Sequence, residues 1–442
     1  MKRVALINPG KFADFGIHEP LSLGYIAAYL EKNGVTVIII DQLAGDDFKE
    51  TIAAFRPDVV GITGTTPLIN DSYEIADYCR SKKVITVMGG VHVTTFPKEA
   101  TRHCDIVVVG EGEKAMLDIA KGTINSGIIE YPFPENLDEI PPPARHLMKM
   151  DYYLRTKDRI AGTHLFFVPP FSKVAALMTS RGCPYKCVFC HNSWRRAPLR
   201  FHSPAHVIDE IKTLYNQYGV NAVFFFDDDL FANKSRLKEI CRLIRHENLP
   251  IIWGCQGRSD DISEEILLTV REAGCRQINF GLESGSQRIL NLLKNSTVSI
   301  EQNKRAIDLC KKMGVLTWGT FMIGNPGETM EDIRLTRNFI RKSNLDGAMV
   351  HITTPFPGTK LWSYYEEKNL IPPDLRWEDF TTAKACIPFS KKFSAQKLNQ
   401  LRVRILIWDI ILTGKFDFWG LFLISVSSPK KLFQRLKRIV FG

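Results

Sequence analysis

Three cysteines stand within eight residues, in the run Cys183-Pro184-Tyr185-Lys186-Cys187-Val188-Phe189-Cys190. Thiolates are soft ligands, suited to iron–sulfur clusters or to zinc. Donors this close in sequence hold one metal centre only if their loop curls around it. A [4Fe–4S] cluster ordinarily takes four cysteines, so three would leave one iron open to a substrate or cofactor. The alternative, a structural zinc site, uses two tight pairs. No second pair occurs, because Cys241, Cys255, Cys275, Cys310 and Cys386 are each isolated. Those five read as buried small hydrophobes.

Four short polar runs follow the triplet. They are Phe225-Phe226-Asp227-Asp228-Asp229, Gly281-Leu282-Glu283-Ser284-Gly285-Ser286, Ile323-Gly324-Asn325-Pro326-Gly327-Glu328 and Thr354-Pro355-Phe356-Pro357-Gly358-Thr359. Alone, an acidic run is a solvated loop and Gly-x-Pro a turn. Their specificity lies in their order, each ending an apolar run. A carboxylate at Asp227, Asp228 or Asp229 suits an ammonium by charge.

The elements that must position these groups alternate strand and helix. Strand candidates of the middle region are Ala175–Thr179, Ala222–Phe226, Ile251–Trp253, Gln277–Phe280, Leu316–Ile323 and Ala348–Ile352. Ser203-Pro204 places a capping residue before a proline at the first helical position. Six βα units predict a partial TIM-like barrel with active groups on the loops after the strands.

The first third also alternates, with apolar runs at Val4–Ile7, Val35–Ile40, Val59–Ile62, Val84–Met88 and Ile106–Val109. Five such runs between helices predict an α/β, doubly wound parallel sheet of flavodoxin-like type. Ligands of such sheets sit beyond the carboxyl ends of the strands. Those ends carry Asn8-Pro9-Gly10, Thr63-Gly64-Thr65-Thr66, Gly89-Gly90-Val91-His92 and Gly110-Glu111-Gly112-Glu113. A proline-rich stretch, Tyr131–Pro134 and then Pro141–Pro143, reads as an extended linker. The expected domains are 1–128, a linker 129–169, the barrel 170–360 and a helical C-terminal region 361–442.

Composition narrows the partners. The chain has 442 residues, 45% hydrophobic and 24% charged, which is ordinary globular usage. Its net charge is +10, but residues 401–442 hold eight Lys/Arg against two Asp. The basic balance therefore belongs mainly to the tail, and no basic face or module for nucleic acid is visible. The apolar runs Ile405–Leu412 and Phe418–Val426 are too short to span a bilayer. After them, Leu432, Phe433, Leu436, Ile439 and Val440 fall at helical spacing beside Lys430, Lys431, Arg435, Lys437 and Arg438. That pattern suits either a helix packed on the barrel or one lying on an anionic membrane surface. No secretory signal opens the sequence, and clustered cysteines favour a reduced compartment, so a cytoplasmic location is expected.

With these motifs the chain resembles the radical S-adenosylmethionine (SAM) superfamily, whose hallmark is CxxxCxxC with an aromatic, here Phe189, before the third cysteine. The resemblance covers residues 170–360. It implies that Cys183, Cys187 and Cys190 hold a [4Fe–4S] cluster whose open iron is chelated by SAM. Reduction by an external electron donor would then yield methionine and a 5′-deoxyadenosyl radical. It further implies that the Asp227–Asp229 run meets the methionine amino end, that Glu283, next to Ser284, faces the ribose, and that Lys294 pairs with the cofactor's carboxylate. Ile323, Gly324 and Pro326 would line the adenine side.

The first third resembles the cobalamin-binding domain of one branch of that superfamily. The likeness rests on Pro20–Gly24, Pro57–Thr63, Gly89–His92, Gly110–Glu113 and the Asn136–Pro141 linker. It implies that Thr63, Thr65, Gly89, Gly90, Val91, Gly110, Glu111 and Gly112 contact cobalamin. The Asp-x-His-x-x-Gly signature of histidine-ligated cobalamin proteins is absent, so a cobalt lower face without histidine is expected, and His92 is expected to pack rather than ligate. The branch commonly methylates unactivated carbon or phosphinate phosphorus, using one SAM to methylate cob(I)alamin and another to make the radical. A C-methyltransferase is therefore expected. Oxidative cyclisation or rearrangement with the same cofactors is the alternative, and a cobalamin or redox sensor is a more distant one. A methylthiotransferase would need three further N-terminal cysteines, and only Cys79 and Cys104 occur there. No motif identifies a catalytic proton acceptor or the substrate, which could be a lipid or isoprenoid, a small metabolite or a protein side chain.

Overall fold

A computed structural model describes residues 2–10, 18–154, 165, 167–169, 172–191, 197–385, 387 and 394–415. The chain forms two compact units, Met1–Tyr153 with Arg376–Phe380, and Leu154–Leu375 with Thr381–Gly442.

In the N-terminal unit, strands β1 (Val4–Asn8), β2 (Val37–Asp41), β3 (Val59–Thr63), β4 (Ile85–Gly89), β5 (Ile106–Val109) and β6 (Gly127–Glu130) form one parallel sheet. Its order is β2-β1-β3-β4-β5-β6. Alternate side chains of a strand point to opposite faces. Accordingly Val4 and Leu6 enter one apolar cluster, Ala5 and Ile7 the other. Both faces are covered by helices, among them Leu21–Lys32, Ile69–Ser81 and Glu113–Lys121, as a parallel sheet requires. The strand order reverses between β1 and β3, the place where open α/β sheets bind ligands. The sixth strand was not expected from sequence: it is short, opens on a glycine and leaves Ile128 exposed at the edge.

In the second unit, β7 (Val174–Leu177), β10 (Ala222–Phe225), β11 (Ile252–Gly257), β12 (Cys275–Glu283), β13 (Leu316–Ile323) and β14 (Gly347–Ile352) run parallel in sequential order. The short pair β8 (Ser180–Arg181) and β9 (Arg200–Phe201) closes the segment that carries the cysteines. Most described helices of this unit start at a side-chain cap. Ser203 accepts from the His206 amide at the start of helix Pro204–Tyr218. Ser299 and Thr329 each form a reciprocal capping box, opening helices Ile300–Lys312 and Met330–Lys342. The second unit is thus an open, barrel-like βα sheet with every active-loop candidate at its carboxyl edge.

Candidate functional site

The loop after β7 is fixed at its root before it reaches the cysteines. Asp227, buried at the end of β10, accepts from the Thr179 amide (3.1 Å) and from Thr179 Oγ1 (2.8 Å). The Ser180 hydroxyl also donates to it. Arg236 then donates to Thr179 O at 3.0 Å and to Thr179 Oγ1 at 3.2 Å. Gly182 follows at φ +87°, with the Pro198 carbonyl oxygen only 2.5 Å from where a Cβ would stand. Only glycine fits so tight a passage.

The far side of the loop is tied down by backbone. Val188 N donates to Leu293 O (3.0 Å), and Leu361 N donates to Val188 O (2.9 Å). Val188 packs with Ile289 and Leu293, and Phe189 lies against the same cluster. Cys183, Cys187 and Cys190 are half-buried and unbridged. Cys190 is near enough to both Cys183 and Cys187 to influence their ionisation, which puts the three thiols in one neighbourhood. Burial pushes the Cys183 thiol up to about 12 and raises that of Cys187. Such thiols become thiolates by binding a metal rather than by their surroundings. The cations that act on Cys187 are Lys294 and Arg258.

Around the loop lies a shell of buried polar groups. Lys294 Nζ donates to Gly281 O at 2.6 Å and stands 3.4 Å from Glu283 Oε1, both side chains being almost wholly buried. Glu283 has φ +61°, a left-handed conformation uncommon for a residue with a side chain, where the β12–β13 register shifts. Burial raises its carboxyl above the usual range, opposed by Lys294. Ser284 is turned away into the protein: its hydroxyl meets Thr336 Oγ1 (3.1 Å) and accepts from Ser286 N.

Asp228 is exposed, whereas Asp229 is buried. Asp229 Oδ1 caps Phe231 N, while Oδ2 has no hydrogen-bond partner. Burial, then the nearby Asp261, lift its carboxyl to about 7. An orphaned buried carboxylate oxygen beside Cys183 is the donor-seeking group that a cofactor ammonium would satisfy. At the end of β13, Ile323 is buried and Gly324 turns at φ +87°. Glu328 folds back to accept from Gly324 N (2.6 Å) and Asn325 N (3.0 Å), leaving Pro326 half-buried on the turn. Thr353 Oγ1 donates to Asn325 Oδ1 at 2.7 Å, so the β13 and β14 loops brace each other.

Sequence reasoning passed over the end of β11. There Arg258 lies 3.5 Å from the centre of the Tyr185 ring and donates to Asp260 and Thr297. Tyr185, inside the cysteine loop, donates to Asp261 at 2.9 Å. The signal was available: Gln256-Gly257-Arg258 ends the third barrel strand as the other motifs end theirs.

In the N-terminal unit the sheet brings together Thr63, Thr65, Gly89, Gly90, Val91, Gly110, Glu111 and Gly112 at adjacent strand ends. Thr63 lies opposite Gly89 in the β3–β4 register, and Gly64 N donates to Gly89 O at 2.9 Å. Gly90 has φ +98°, and a Cβ there would stand 2.8 Å from both Gly64 N and Gly64 O. Thr94 Oγ1 accepts from Gly110 N at 3.2 Å. The outcome is a floor of backbone with few side chains, which lets a large ligand approach closely. His92 is wholly buried: Nδ1 meets Thr66 Oγ1 at 3.2 Å, and the ring lies 4.9 Å from that of Trp377. Burial lowers its pKa, so it packs as a neutral imidazole.

Comparison with known proteins agrees with both halves. The radical SAM superfamily model matches residues 177–340, and the B12 binding domain model matches residues 14–120. An uncharacterized methyltransferase of Pyrococcus horikoshii is 36% identical over 429 residues, spanning 88% of this chain and 90% of its own. The anaerobic magnesium-protoporphyrin IX monomethyl ester cyclase of Rubrivivax gelatinosus is 29% identical, spanning 83% and 70%. Among solved structures, the methyltransferase TsrM of Kitasatospora setae, with cobalamin and a [4Fe-4S] cluster bound, superposes with a TM-score of 0.67 at 22% identity. That match covers 83% of this chain and 78% of TsrM. Fold and site together define a radical SAM enzyme with a cobalamin-binding domain. The chain belongs to the cobalamin-dependent radical SAM methyltransferase family, and its cofactors are a [4Fe–4S] cluster, SAM and cobalamin.

Proposed function

We propose that the chain transfers a methyl group to an unactivated carbon of an apolar substrate. The observation that carries this reading is the presence, in one chain, of a thiol triplet inside a buried polar shell and a glycine floor on a doubly wound sheet. The cluster with SAM supplies a hydrogen-abstracting radical, and cobalamin supplies the methyl carrier. The protein's part is positional. Asp227 and Gly182 shape the cysteine loop. Lys294 and Arg258 offset the negative charge of three thiolates, and Asp229 offers its free oxygen to a cationic group. An external one-electron donor completes the system. Incubation with methyl-labelled SAM, a reductant and candidate acceptors tests the reading. Methyl label in the product supports it. Formation of 5′-deoxyadenosine with a ring-closed, unlabelled product would instead support the cyclase reading, which the likeness to the Rubrivivax cyclase favours.

The surface that leads into the tail supports an apolar substrate drawn from a membrane. Among the described residues no helix is long and apolar enough to cross a bilayer. Trp408 and Leu412 are 61% and 62% exposed, with Ile407 and the cation Arg404 beside them on the same short stretch. Exposed aromatic and aliphatic side chains next to cations suit an anionic interface, and the basic run from Lys430 to Arg438 follows in sequence. The full chain should sediment with phosphatidylglycerol vesicles and not with phosphatidylcholine ones. Loss of sedimentation in Trp408→Ser/Leu412→Ser would place the contact on this surface, and no sedimentation of the wild type would overturn it.

A further inference from the structure

Five residues far along the sequence belong to the cofactor-binding unit. Arg376–Phe380 cluster with Met1–Tyr153, although the segments on either side belong to the second unit. Trp377–Asp379 form a single 3₁₀ turn, held internally by Arg376 Nε on Asp379 Oδ2 (3.0 Å) and by Phe380 N on Trp377 O (3.1 Å). Its indole is the outer wall of an aromatic group: 4.9 Å from His92, 5.5 Å from Phe96 and 5.3 Å from Phe380, centre to centre. Asn70 Nδ2 donates to Glu378 Oε1 at 2.5 Å, which anchors the turn to the helix after β3. Phe380 has no exposed surface.

What this turn packs against is the support of the glycine floor. His92 is in the short helix Val91–Thr95, whose first residues continue directly from Gly89 and Gly90. Its amide donates to Gly64 O at 3.2 Å, and its ring meets Thr66. The ring thus connects the loops after β3 and β4. On its other edge, Nε2 stands 3.6 Å from Glu99, which itself accepts from the Tyr73 hydroxyl at 2.9 Å. A buried neutral imidazole makes few bonds of its own, so its position depends on the rings that enclose it. Trp377 is one of these, and it is the one that a distant part of the sequence delivers.

We propose that Arg376–Phe380 is a positioning element of the cobalamin site, with Trp377 holding His92 and through it the Gly64 and Gly89–Gly90 loops. The proposal rests on the assignment of cobalamin to the N-terminal unit. It makes Trp377 a positioning residue, with no contact to the cofactor required. It also makes the unit discontinuous: its ligand loops are set by residues that follow the whole barrel sheet in sequence.

The test uses the full chain purified without oxygen and titrated with hydroxocobalamin, read by absorbance after removal of free ligand. Trp377→Ala should weaken cobalamin binding by about five- to tenfold, the scale of one lost aromatic contact set. Trp377→Phe, which keeps an apolar ring, should recover most of that loss. Iron content and 5′-deoxyadenosine formation should be unchanged in both, a separation that general unfolding would not give. Should Trp377→Ala prove insoluble, Asn70→Ala loosens the turn without opening a cavity and should weaken binding in the same direction. Wild-type cobalamin affinity in Trp377→Ala, with iron retained, would overturn the proposal. So would equal loss of iron and cobalamin in both variants. Absence of cobalamin binding in the wild type would instead remove the assignment on which the proposal stands.

Discussion

Lys294 Nζ and Glu283 Oε1 stand 3.4 Å apart, both all but inaccessible to water, and the glutamate backbone is held in the left-handed region at φ +61°. A buried pair stabilises less than its contact suggests, but removing one partner leaves an uncompensated charge, costing about 3–5 kcal/mol. Lys294→Met should therefore lower the melting temperature sharply, while Lys294→Met/Glu283→Gln should recover much of the loss. Calorimetry on the three proteins measures it. Equal stability of the single and double variants would show that the pair is not coupled.

Asp227 and Asp228 are neighbours with opposite surroundings. Asp227 collects Thr179 and Ser180 at the root of the cysteine loop, whereas Asp228 is exposed. Asp227→Ala leaves buried donors unmatched, a loss of roughly 1–3 kcal/mol each, and should reduce cluster loading. Asp228→Ala should leave iron content near that of the wild type. Iron and sulfide analysis after anaerobic reconstitution separates them.

Glu328 gives a pH dependence of known sign. Burial raises its carboxyl from 4.5 to about 7 in the folded chain. The folded state thus holds a proton that the unfolded state has released. The stability this supplies is fully present below about pH 4.5 and is lost as the pH rises to about 7. Glu328→Gln keeps acceptors for Gly324 N and Asn325 N without ionising. The gap in melting temperature between wild type and Glu328→Gln should change in the variant's favour across that window. A gap independent of pH would show that Glu328 does not titrate there.

Gly89 and Gly90 should respond differently to alanine. At Gly90 the methyl would meet Gly64 backbone at 2.8 Å with φ at +98°, and strain of this kind costs on the order of 1–3 kcal/mol. At Gly89 the nearest atom is Val108 O at 3.7 Å, an ordinary contact. Gly90→Ala should lose both stability and cobalamin, while Gly89→Ala should fold normally and bind cobalamin more weakly. Unfolding curves and cobalamin titration together decide it.

Much of this was legible in the sequence because the signals were local. Strands β7 and β10–β14 appear as apolar runs, and Cys183, Cys187 and Cys190 declare themselves by spacing, whereas the short pair β8 and β9 carries no such signal. The commitment of Asp227 to Thr179 and of Ser284 to Thr336 was not legible. Which oxygen faces a ligand and which a neighbouring strand depends on register and on the β12–β13 bulge. Arg258 was passed over because a lone arginine after a strand has no motif around it. Trp377 had no sequence signal, since its partners His92 and Phe96 are nearly three hundred residues away. The Lys430–Val440 tail lies outside the described residues.

The most direct test is the cofactor content of the chain purified without oxygen, reconstituted with iron and sulfide, and supplied with hydroxocobalamin. The expected result is one [4Fe–4S] cluster and one cobalamin bound per chain, with the cluster alone lost when Cys183, Cys187 and Cys190 are all changed to alanine. A cluster without cobalamin, or zinc held in preference to iron when both are offered, would contradict the account.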